Sequence, residues 1–355
     1  MFGLVWALSW PIAEVVFRIM GDHPSDDLAS LYMPFGSGSY KLRPGIDTKA
    51  SWAAGTFTVH TDGLGLRCDE QRCLAVGQGE RVDVLFLGDS QGFGNGVSFE
   101  ESVCGVAAQL ARRDGLRVAN ACVGGHAALN QLELARWLCE TQHLSARTYV
   151  LLATPVLVRN ADGFTRARVG ADGRLYEDSE SHAARARLWA RTHTVLYCRV
   201  RDAIRNLGIG AKPKGDAPLA FGLYHPDGSD SGPQARFRAL LRKLEQFAHD
   251  HQAQLKVVYL PLTLEADFDY VRTSAKASGL DLDSKAPSRI CAAACEGLGI
   301  SDYDLHPVLE ELHARGDPLR LKGDFHYDRV LSKACGTRLY EVLKDSNLSL
   351  MSQTR

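Results

Sequence analysis

The amino-acid sequence predicts a three-layer α/β/α fold, in which a parallel sheet is covered by helices on both faces. The first observation is the run over residues 82–87, which is apolar almost throughout and stops at Gly88, as a buried parallel strand does. The second is the alternation of strand-like and helix-like segments that follows it. The third is composition: of 355 residues, 45% are hydrophobic and 23% are charged, which is typical of a folded globular protein.

The other elements follow in chain order. Helices are predicted from apolar residues at helical spacing, and strands from short apolar runs. We predict further strands over residues 116–123, 148–158, 255–260 and 300–305, and helices over residues 100–113, 127–144, 233–251, 288–298 and 329–344. Residues 160–232 break this alternation with Gly and Pro punctuation around a helix-like stretch at 183–207. We interpret this region as an insertion.

The predicted organisation has four segments. A hydrophobic N-terminal segment covers residues 1–20, and an irregular β lead-in, rich in Gly, Ser, Asp and Pro, covers 21–80. The α/β domain spans 81–345 and carries the insertion, and residues 346–355 form a C-terminal tail.

The N-terminal segment has the composition of a short membrane anchor. Residues 2–20 are mostly apolar, with only Glu14 and Arg18 charged, and a membrane-spanning helix needs roughly 20 apolar residues. No Lys or Arg precedes the apolar stretch, so it lacks the basic start of a signal peptide. We expect membrane association through this segment, with the domain on the extracytoplasmic side. A truncated anchor and an amphipathic helix packed on the domain are the alternatives.

Charge and cysteine content limit the classes of partner. The net charge is −1, from 41 basic and 42 acidic residues. The sequence has no sustained basic run, so nothing in it indicates a nucleic-acid partner. Cys68 and Cys73 flank a short polar stretch and could form a disulfide in an oxidising compartment, or remain free buried thiols. For Cys291 and Cys295 the alternatives are the same, a disulfide or free buried thiols. Neither pair has the companion ligands of a zinc site, so we expect no metal and no organic cofactor.

Two motifs carry candidate chemistry. Gly88-Asp89-Ser90 directly follows the buried strand, at the end where open α/β sheets bind ligands. Asp324 and His326 lie two residues apart, just before the last helix. A serine hydroxyl needs a base within reach, and a carboxylate can orient a histidine for that task. An ordinary turn, and a capping Asp beside a surface His, are the plain alternatives.

Together these motifs resemble the SGNH/GDSL hydrolase superfamily, over residues 55–160 and 233–345. The resemblance implies a flavodoxin-like parallel sheet, with Ser90 as nucleophile and Asp324 and His326 as its acid–base partners. The family's second block resembles residues 120–126, with Gly125 the best match for the glycine whose N–H joins that of Ser90 in an oxyanion hole. Its last block is usually DxxH, whereas this chain has DxH, as bacterial branches related to polysaccharide acetylation do.

One block departs from the family pattern. The third block normally supplies an asparagine for the oxyanion hole, but no Asn-Asp pair follows the third predicted strand. Thr154 matches best by distance from the strand, and Asn160 is the nearest asparagine. One oxyanion donor is typically worth roughly 10²–10³ in rate. The missing asparagine therefore predicts either a slower enzyme or one whose third oxyanion donor comes from another residue.

The resemblance implies a serine esterase that acts on a small ester or an acylated glycan, such as the O-acetyl groups of a carbohydrate, through a covalent acyl-enzyme. An O-acyltransferase, or a weakly catalytic glycan-binding module, is the alternative. Nucleotide binding is disfavoured because neither GxxxxGK[ST] nor GxGxxG follows the first strand. Of the other polar residues, Asp89 is expected to stabilise its turn, and His126 to line the pocket, to pack structurally or to face solvent. His249, Asp250, His306 and His313 are expected to lie at the surface.

Overall fold

The computed structural model describes residues 2–20, 31–36, 38–52, 55–71, 75–165, 167–169, 175–177, 190, 194–197, 200, 221–224, 231–266, 282–321 and 324–353. The predicted helix over 183–207 lies largely outside these ranges, and so does Cys73. The possible disulfide between Cys68 and Cys73 therefore stays a prediction. Cys291 and Cys295 are free, buried thiols.

The described residues form twelve strands. In chain order they are β1 (Tyr32–Phe35), β2 (Ser39–Leu42), β3 (Asp47–Trp52), β4 (Gly55–Thr61), β5 (Arg67–Cys68), β6 (Arg81–Leu87), β7 (Val118–Asn120), β8 (Ser145–Ala153), β9 (Ala167–Val169), β10 (Leu175–Glu177), β11 (Gln254–Tyr259) and β12 (Ser301–Asp304). Within the described residues, eight of them form one sheet in the order β12-β11-β8-β6-β7-β5-β4-β3, while β1 pairs with β2 and β9 with β10.

Helices flank this sheet. They are α1 (Phe2–Ile19), α2 (Ser90–Phe93), α3 (Val103–Arg113), α4 (Ala128–Glu140), α5 (Pro155–Arg159), α6 (Ser231–Asp250), α7 (Ala286–Glu296), α8 (His306–Ala314) and α9 (Arg329–Gln353). Helix α3 packs on α9, while α6 packs on α4 and α7. Strands β6 and β8 lie in the middle of the sheet, and residues such as Leu87 and Val150 are fully buried there. The predicted three-layer α/β/α fold is confirmed.

The sheet is mixed rather than wholly parallel. The five strands predicted for the α/β domain, β6, β7, β8, β11 and β12, pair in parallel, as expected. Strands β3, β4 and β5 extend the sheet antiparallel at its β7 edge, where Arg67 pairs with Asn120. Residues 47–68, interpreted from sequence as an irregular lead-in, are therefore paired with the sheet of the α/β domain. In β4, buried Phe57 and Val59 alternate with less buried Thr56 and Thr58, which is the period of a half-buried strand.

The third predicted strand ends earlier than expected, at Ala153 rather than Val158. The Thr154 side chain caps α5 by accepting a hydrogen bond from the backbone N–H of Leu157, and Pro155 occupies the first helical position. Both residues favour a helix start. The chain therefore turns at the carboxyl end of β8, and residues 155–159 form a helix beside the site described below.

The membrane-anchor prediction is not supported. The N-terminal segment forms α1, but among the described residues no helix combines the length and apolar character that crossing a bilayer requires. Glu14 lies within this helix, and its carboxylate accepts hydrogen bonds from the backbone N–H groups of Val195 and Leu196, at 3.0 and 2.9 Å. It also pairs with Arg18. These charges interrupt the apolar stretch.

Candidate active site

The turn after β6 presents Ser90 at the carboxyl end of the sheet. Ser90 is the first residue of α2 and is partly exposed. The Asp89 carboxylate caps the helix by accepting a hydrogen bond from the backbone N–H of Gln91 at 3.0 Å. A Cβ at position 92 would lie 2.5 Å from Cys122 Sγ, so Gly92 is what lets the turn pack this closely on its neighbour. The serine hydroxyl is thereby held at the rim of the sheet.

His326 connects this serine to Asp324. Its Nε2 lies 2.8 Å from Ser90 Oγ, and its Nδ1 lies 2.5 Å from Asp324 Oδ1. The same carboxylate oxygen accepts the backbone N–H of His326 at 2.8 Å. This double contact explains the two-residue spacing, because an Asp can bond the backbone and the ring of the residue two positions later. The structure thus brings Ser90 together with His326 and Asp324, although Ser90 and His326 lie 236 residues apart in the sequence.

The electrostatics of Asp324 suit an orienting carboxylate. Burial opposes its ionisation, but the hydrogen bonds from the ring and backbone of His326 outweigh that effect, so its pKa lies below the ordinary value. An ionised Asp324 holds the Nδ1–H tautomer of His326, which leaves Nε2 as an acceptor toward the Ser90 hydroxyl. The arrangement can therefore remove a proton from Ser90.

Thr154 lies beside the turn that carries Ser90, but its hydroxyl proton is already engaged in a hydrogen bond. Thr154 Oγ1 donates to Asp89 Oδ2 at 2.6 Å and accepts the backbone N–H of Leu157 at 3.3 Å. A hydroxyl has one proton to donate, so none remains for a developing oxyanion. Burial raises the pKa of Asp89, and the hydrogen bonds from Thr154 and Gln91 only partly offset this. Thr154 and Asp89 thus tie the turn of Ser90 to the end of β8.

Backbone donors lie free at the site. Within the part of the chain that the structure describes, neither the N–H of Ser90 nor that of Gly125 has a hydrogen-bond acceptor. Gly125 has φ +78°, a conformation that favours glycine, and a Cβ there would also lie 2.6 Å from Tyr40 Oη. Asn160 ends α5 and is exposed, with its side chain free of hydrogen-bond partners among the described residues. Ser90, Gly125 and Asn160 border one cavity.

That cavity has a volume of about 140 Å³. Its described lining includes Ser90 but neither His326 nor Asp324. The exposed wall is mostly apolar, and the other lining residues are Asp89, Gln91, Gly125, His126, Ala127, Thr154, Val156, Leu157, Asn160, Thr165, Leu262 and Phe325. A larger groove of about 420 Å³ lies between α4 and α6, among charged surface side chains such as Arg242 and Asp250, and contains no residue of the Ser90–His326–Asp324 set. Among the described residues, no group of His, Cys, Asp or Glu is arranged to hold a metal ion.

The residues preceding β6 contribute site contacts that sequence analysis missed. Trp52 places its indole Nε1 3.3 Å from His326 Nδ1, beside the contact with Asp324. Tyr40 donates its hydroxyl to Gly124 O at 3.0 Å, and its own carbonyl lies 2.7 Å from His126 Nε2. No local sequence signal identifies either residue, because their partners lie 84 to 274 positions away.

Arg67 is the third such residue. Its guanidinium is buried and donates to backbone carbonyls of the turn that follows Ser90, those of Phe93, Gly94 and Val97. Burial lowers its pKa to about 10, which leaves it charged at neutral pH. A buried cation that binds several carbonyls fixes their positions, and here it fixes the turn that follows Ser90.

The remaining histidines divide between surface and interior. His249 and His313 are exposed, as predicted. His126 is buried, and burial lowers its pKa to about 4, so it is neutral and serves as a structural neighbour of Gly125. The surface prediction for His306 is wrong: the residue is 3% exposed, because carboxylates of Asp304 and Glu265 surround its ring.

No protein-family model and no curated protein matches the chain. Among solved structures it is similar to TesA, with 13% identity, 75% of this chain and 99% of that chain covered, and a TM-score of 0.39. It is also similar to the psychrotrophic esterase EstA from Pseudoalteromonas sp., with 11% identity, 74% of this chain and 97% of that chain covered, and a TM-score of 0.39. A catalytic mutant of an acetylxylan esterase from Geobacillus stearothermophilus is similar with 10% identity, 76% of this chain and 95% of that chain covered, and a TM-score of 0.39. Likeness at this level does not establish an activity, which has to be argued from the geometry around Ser90.

Proposed function

We propose that this chain is a serine esterase of the SGNH/GDSL type, which cleaves a small ester through a covalent acyl-enzyme. The observation that carries the proposal is the unbroken chain of contacts from Ser90 Oγ through His326 to Asp324, at 2.8 and 2.5 Å. A nucleophile, a base and an orienting carboxylate in this order constitute the apparatus of acyl transfer. Their position at the carboxyl ends of parallel strands is where open α/β sheets carry out chemistry.

In the proposed mechanism, His326 Nε2 takes the proton of Ser90 as Oγ attacks the ester carbonyl carbon. The carbonyl oxygen becomes an oxyanion, which the N–H groups of Ser90 and Gly125 stabilise. His326 then gives its proton to the leaving alcohol, and the acyl group remains on Ser90. Water, deprotonated by the same histidine, attacks the acyl carbon. The histidine then returns that proton to Ser90 Oγ as the bond between Oγ and the acyl carbon breaks, and a carboxylic acid and free Ser90 result. Each step balances without a metal or cofactor.

The size and lining of the cavity favour a short acyl group. Its volume is about 140 Å³, and an apolar cavity of about 150 Å³ can hold a molecule as small as benzene. Val156, Leu157 and Leu262 supply apolar wall, whereas Asn160 and Thr165 supply polar groups. We therefore propose acetyl esters as substrates. The two-residue spacing of Asp324 and His326, which resembles that of branches related to polysaccharide acetylation, favours an O-acetylated carbohydrate.

Labelling with a fluorophosphonate tests the proposed nucleophile without knowledge of the natural substrate. The probe reacts only with an activated serine, so wild type is expected to be labelled, with the adduct mapped to Ser90. Ser90→Ala is expected to remain unlabelled. Ser98→Ala is the matched control, because Ser98 is also partly exposed but its hydroxyl bonds Thr58 rather than a histidine. Absence of labelling in folded wild type would contradict the proposal.

Tyr40→Phe tests whether the donors at Gly125 are held in place from the β1–β2 hairpin. The change removes the hydrogen bond to Gly124 O, worth about 1 kcal/mol, and keeps the ring that packs on His126. We expect kcat for p-nitrophenyl acetate to fall about 3- to 10-fold, with a small change in KM, because the oxyanion is stabilised in the transition state. Tyr303→Phe, on the opposite edge strand β12, is the control and should leave kcat unchanged. Equal rates in both variants would remove the assigned role of Tyr40.

A further inference from the structure

A second Asp-x-His pair, Asp304 and His306, repeats the local geometry of Asp324 and His326. The backbone N–H of His306 donates to Asp304 Oδ1 at 2.9 Å, and its ring Nδ1 lies 2.9 Å from the same oxygen. The pair follows β12, at the same end of the sheet as Ser90. The two histidines are equally buried, each with 3% of its surface exposed.

The two pairs differ in what faces Nε2 of the histidine. In place of a serine, His306 Nε2 meets the carboxylate oxygen Glu265 Oε2 at 2.6 Å, as an ion pair. The Glu265 side chain is fully buried, and it also accepts hydrogen bonds from Tyr224 Oη at 2.9 Å and Tyr259 Oη at 3.3 Å. Burial lowers the pKa of His306, but the carboxylates of Asp304 and Glu265 outweigh burial and raise it to about 9. The imidazole is therefore charged at neutral pH.

The segment 261–265 links this ion pair to the catalytic loop. Glu265 accepts the backbone N–H of Leu262 at 3.1 Å, which closes the turn. Thr263 Oγ1 donates to Phe325 O at 3.1 Å, and Tyr327 Oη donates to Pro261 O. Phe325 and Tyr327 are the two neighbours of His326 in the chain. The segment closed by Glu265 thus bonds the backbone of the residue before the catalytic histidine and the side chain of the residue after it.

We propose that Asp304, His306 and Glu265 form a positioning unit, which holds His326 in line with Ser90 through the hydrogen bond from Thr263 to Phe325. This inference rests on the proposed esterase mechanism. A buried ion pair contributes little net stability compared with apolar residues of similar shape. Its geometry is nevertheless strongly fixed by the surrounding hydrogen bonds, and small displacements of a reacting group lower the rate steeply. The unit therefore acts on the rate rather than on substrate affinity.

Thr263→Val tests the last link of the unit. Valine keeps the branched shape and removes the hydroxyl, so we expect kcat for p-nitrophenyl acetate to fall about 10-fold while KM changes less than twofold. Thr263→Ser keeps the hydroxyl and is expected to retain most of the wild-type kcat. Thr337→Val is the matched control, because its hydroxyl also bonds a backbone carbonyl, that of Lys333, but lies on α9 away from the site. Glu265→Gln should lower kcat in the same manner as Thr263→Val.

A spectroscopic measurement separates this proposal from the esterase proposal. In protein labelled with ¹⁵N-histidine, the ring resonances of His326 can be assigned by their absence from His326→Gln. Thr263→Val and Glu265→Gln are expected to shift or broaden these resonances, whereas Thr337→Val leaves them unchanged, even if wild type hydrolyses no ester offered. Unchanged His326 resonances together with an unchanged kcat in Thr263→Val would overturn the positioning role. If Glu265→Gln does not fold, the result for Thr263→Val alone decides whether the unit positions His326. A wild type that neither reacts with the fluorophosphonate nor hydrolyses an ester would instead count against the esterase proposal, even if its His326 resonances shift in Thr263→Val as expected.

Discussion

Replacing Ser90 with alanine is expected to reduce hydrolysis of p-nitrophenyl acetate to the uncatalysed background, a loss of about 10³- to 10⁶-fold depending on assay sensitivity. The reason is the contact of 2.8 Å between Ser90 Oγ and His326 Nε2, which puts the Ser90 hydroxyl within reach of the proposed base. The hydroxyl of Thr154, which lines the same cavity, donates to Asp89 and cannot substitute for it. The cap of α2 depends on Asp89 rather than on Ser90, so the melting temperature should change little.

His326→Ala should give the same loss, and the double variant should be no worse than either single one. Residues that act as one unit lose their joint effect with the first substitution. Ser98→Ala, in which a serine of similar exposure is removed, should retain the wild-type rate. If Ser90→Ala kept substantial activity while His326→Ala lost it, the histidine would be activating water directly, and the acyl-enzyme would have to be abandoned.

The features that the sequence predicted are those whose signals are local. The buried strand at 82–87 is recognisable from its apolar run, and Gly88-Asp89-Ser90 from its place directly after that run. Asp324 and His326 lie two residues apart, so their relation could be inferred without tertiary structure. The pairing of the two motifs followed from the need of a serine for a base, and the structure places them at hydrogen-bonding distance.

The features that were missed depend on contacts between distant segments. Trp52 reaches His326 across 274 residues, and Arg67 reaches the turn after Ser90 from a two-residue strand. A single sequence contains periodicity and turn chemistry but no record of such contacts. Two errors did have a local signal. Thr154 before Pro155 is a helix-start pattern, which marks the end of β8. Asp304 and His306 repeat the spacing of Asp324 and His326, which argued against a solvent-facing histidine.

Asp324→Asn is expected to lower kcat by about 10³- to 10⁴-fold, close to the effect of the corresponding change in a serine-protease triad, with little loss of thermal stability. Asp324 Oδ1 accepts both the backbone N–H and the ring Nδ1–H of His326, so the substitution acts directly on the tautomer of the base. If the amide turns its NH₂ toward the ring, Nδ1 becomes the acceptor and Nε2 carries the proton, so Nε2 cannot take the proton of Ser90. If the amide oxygen faces the ring, the tautomer survives but no charge stabilises the imidazolium.

Asp328→Asn is the control for this substitution, since Asp328 lies four residues further on and caps α9 by accepting the N–H of Leu331 at 3.0 Å. Asparagine caps helices about as well as aspartate, so both stability and rate should persist. A kcat for Asp324→Asn within tenfold of wild type, while Ser90→Ala is inactive, would show that the Ser90–His326 pair works without the carboxylate. The indole ring of Trp52, which packs edge-to-face on the imidazole of His326 with centroids 5.4 Å apart, would then be the group left to orient the ring, and Trp52→Ala in the Asp324→Asn background would remove it.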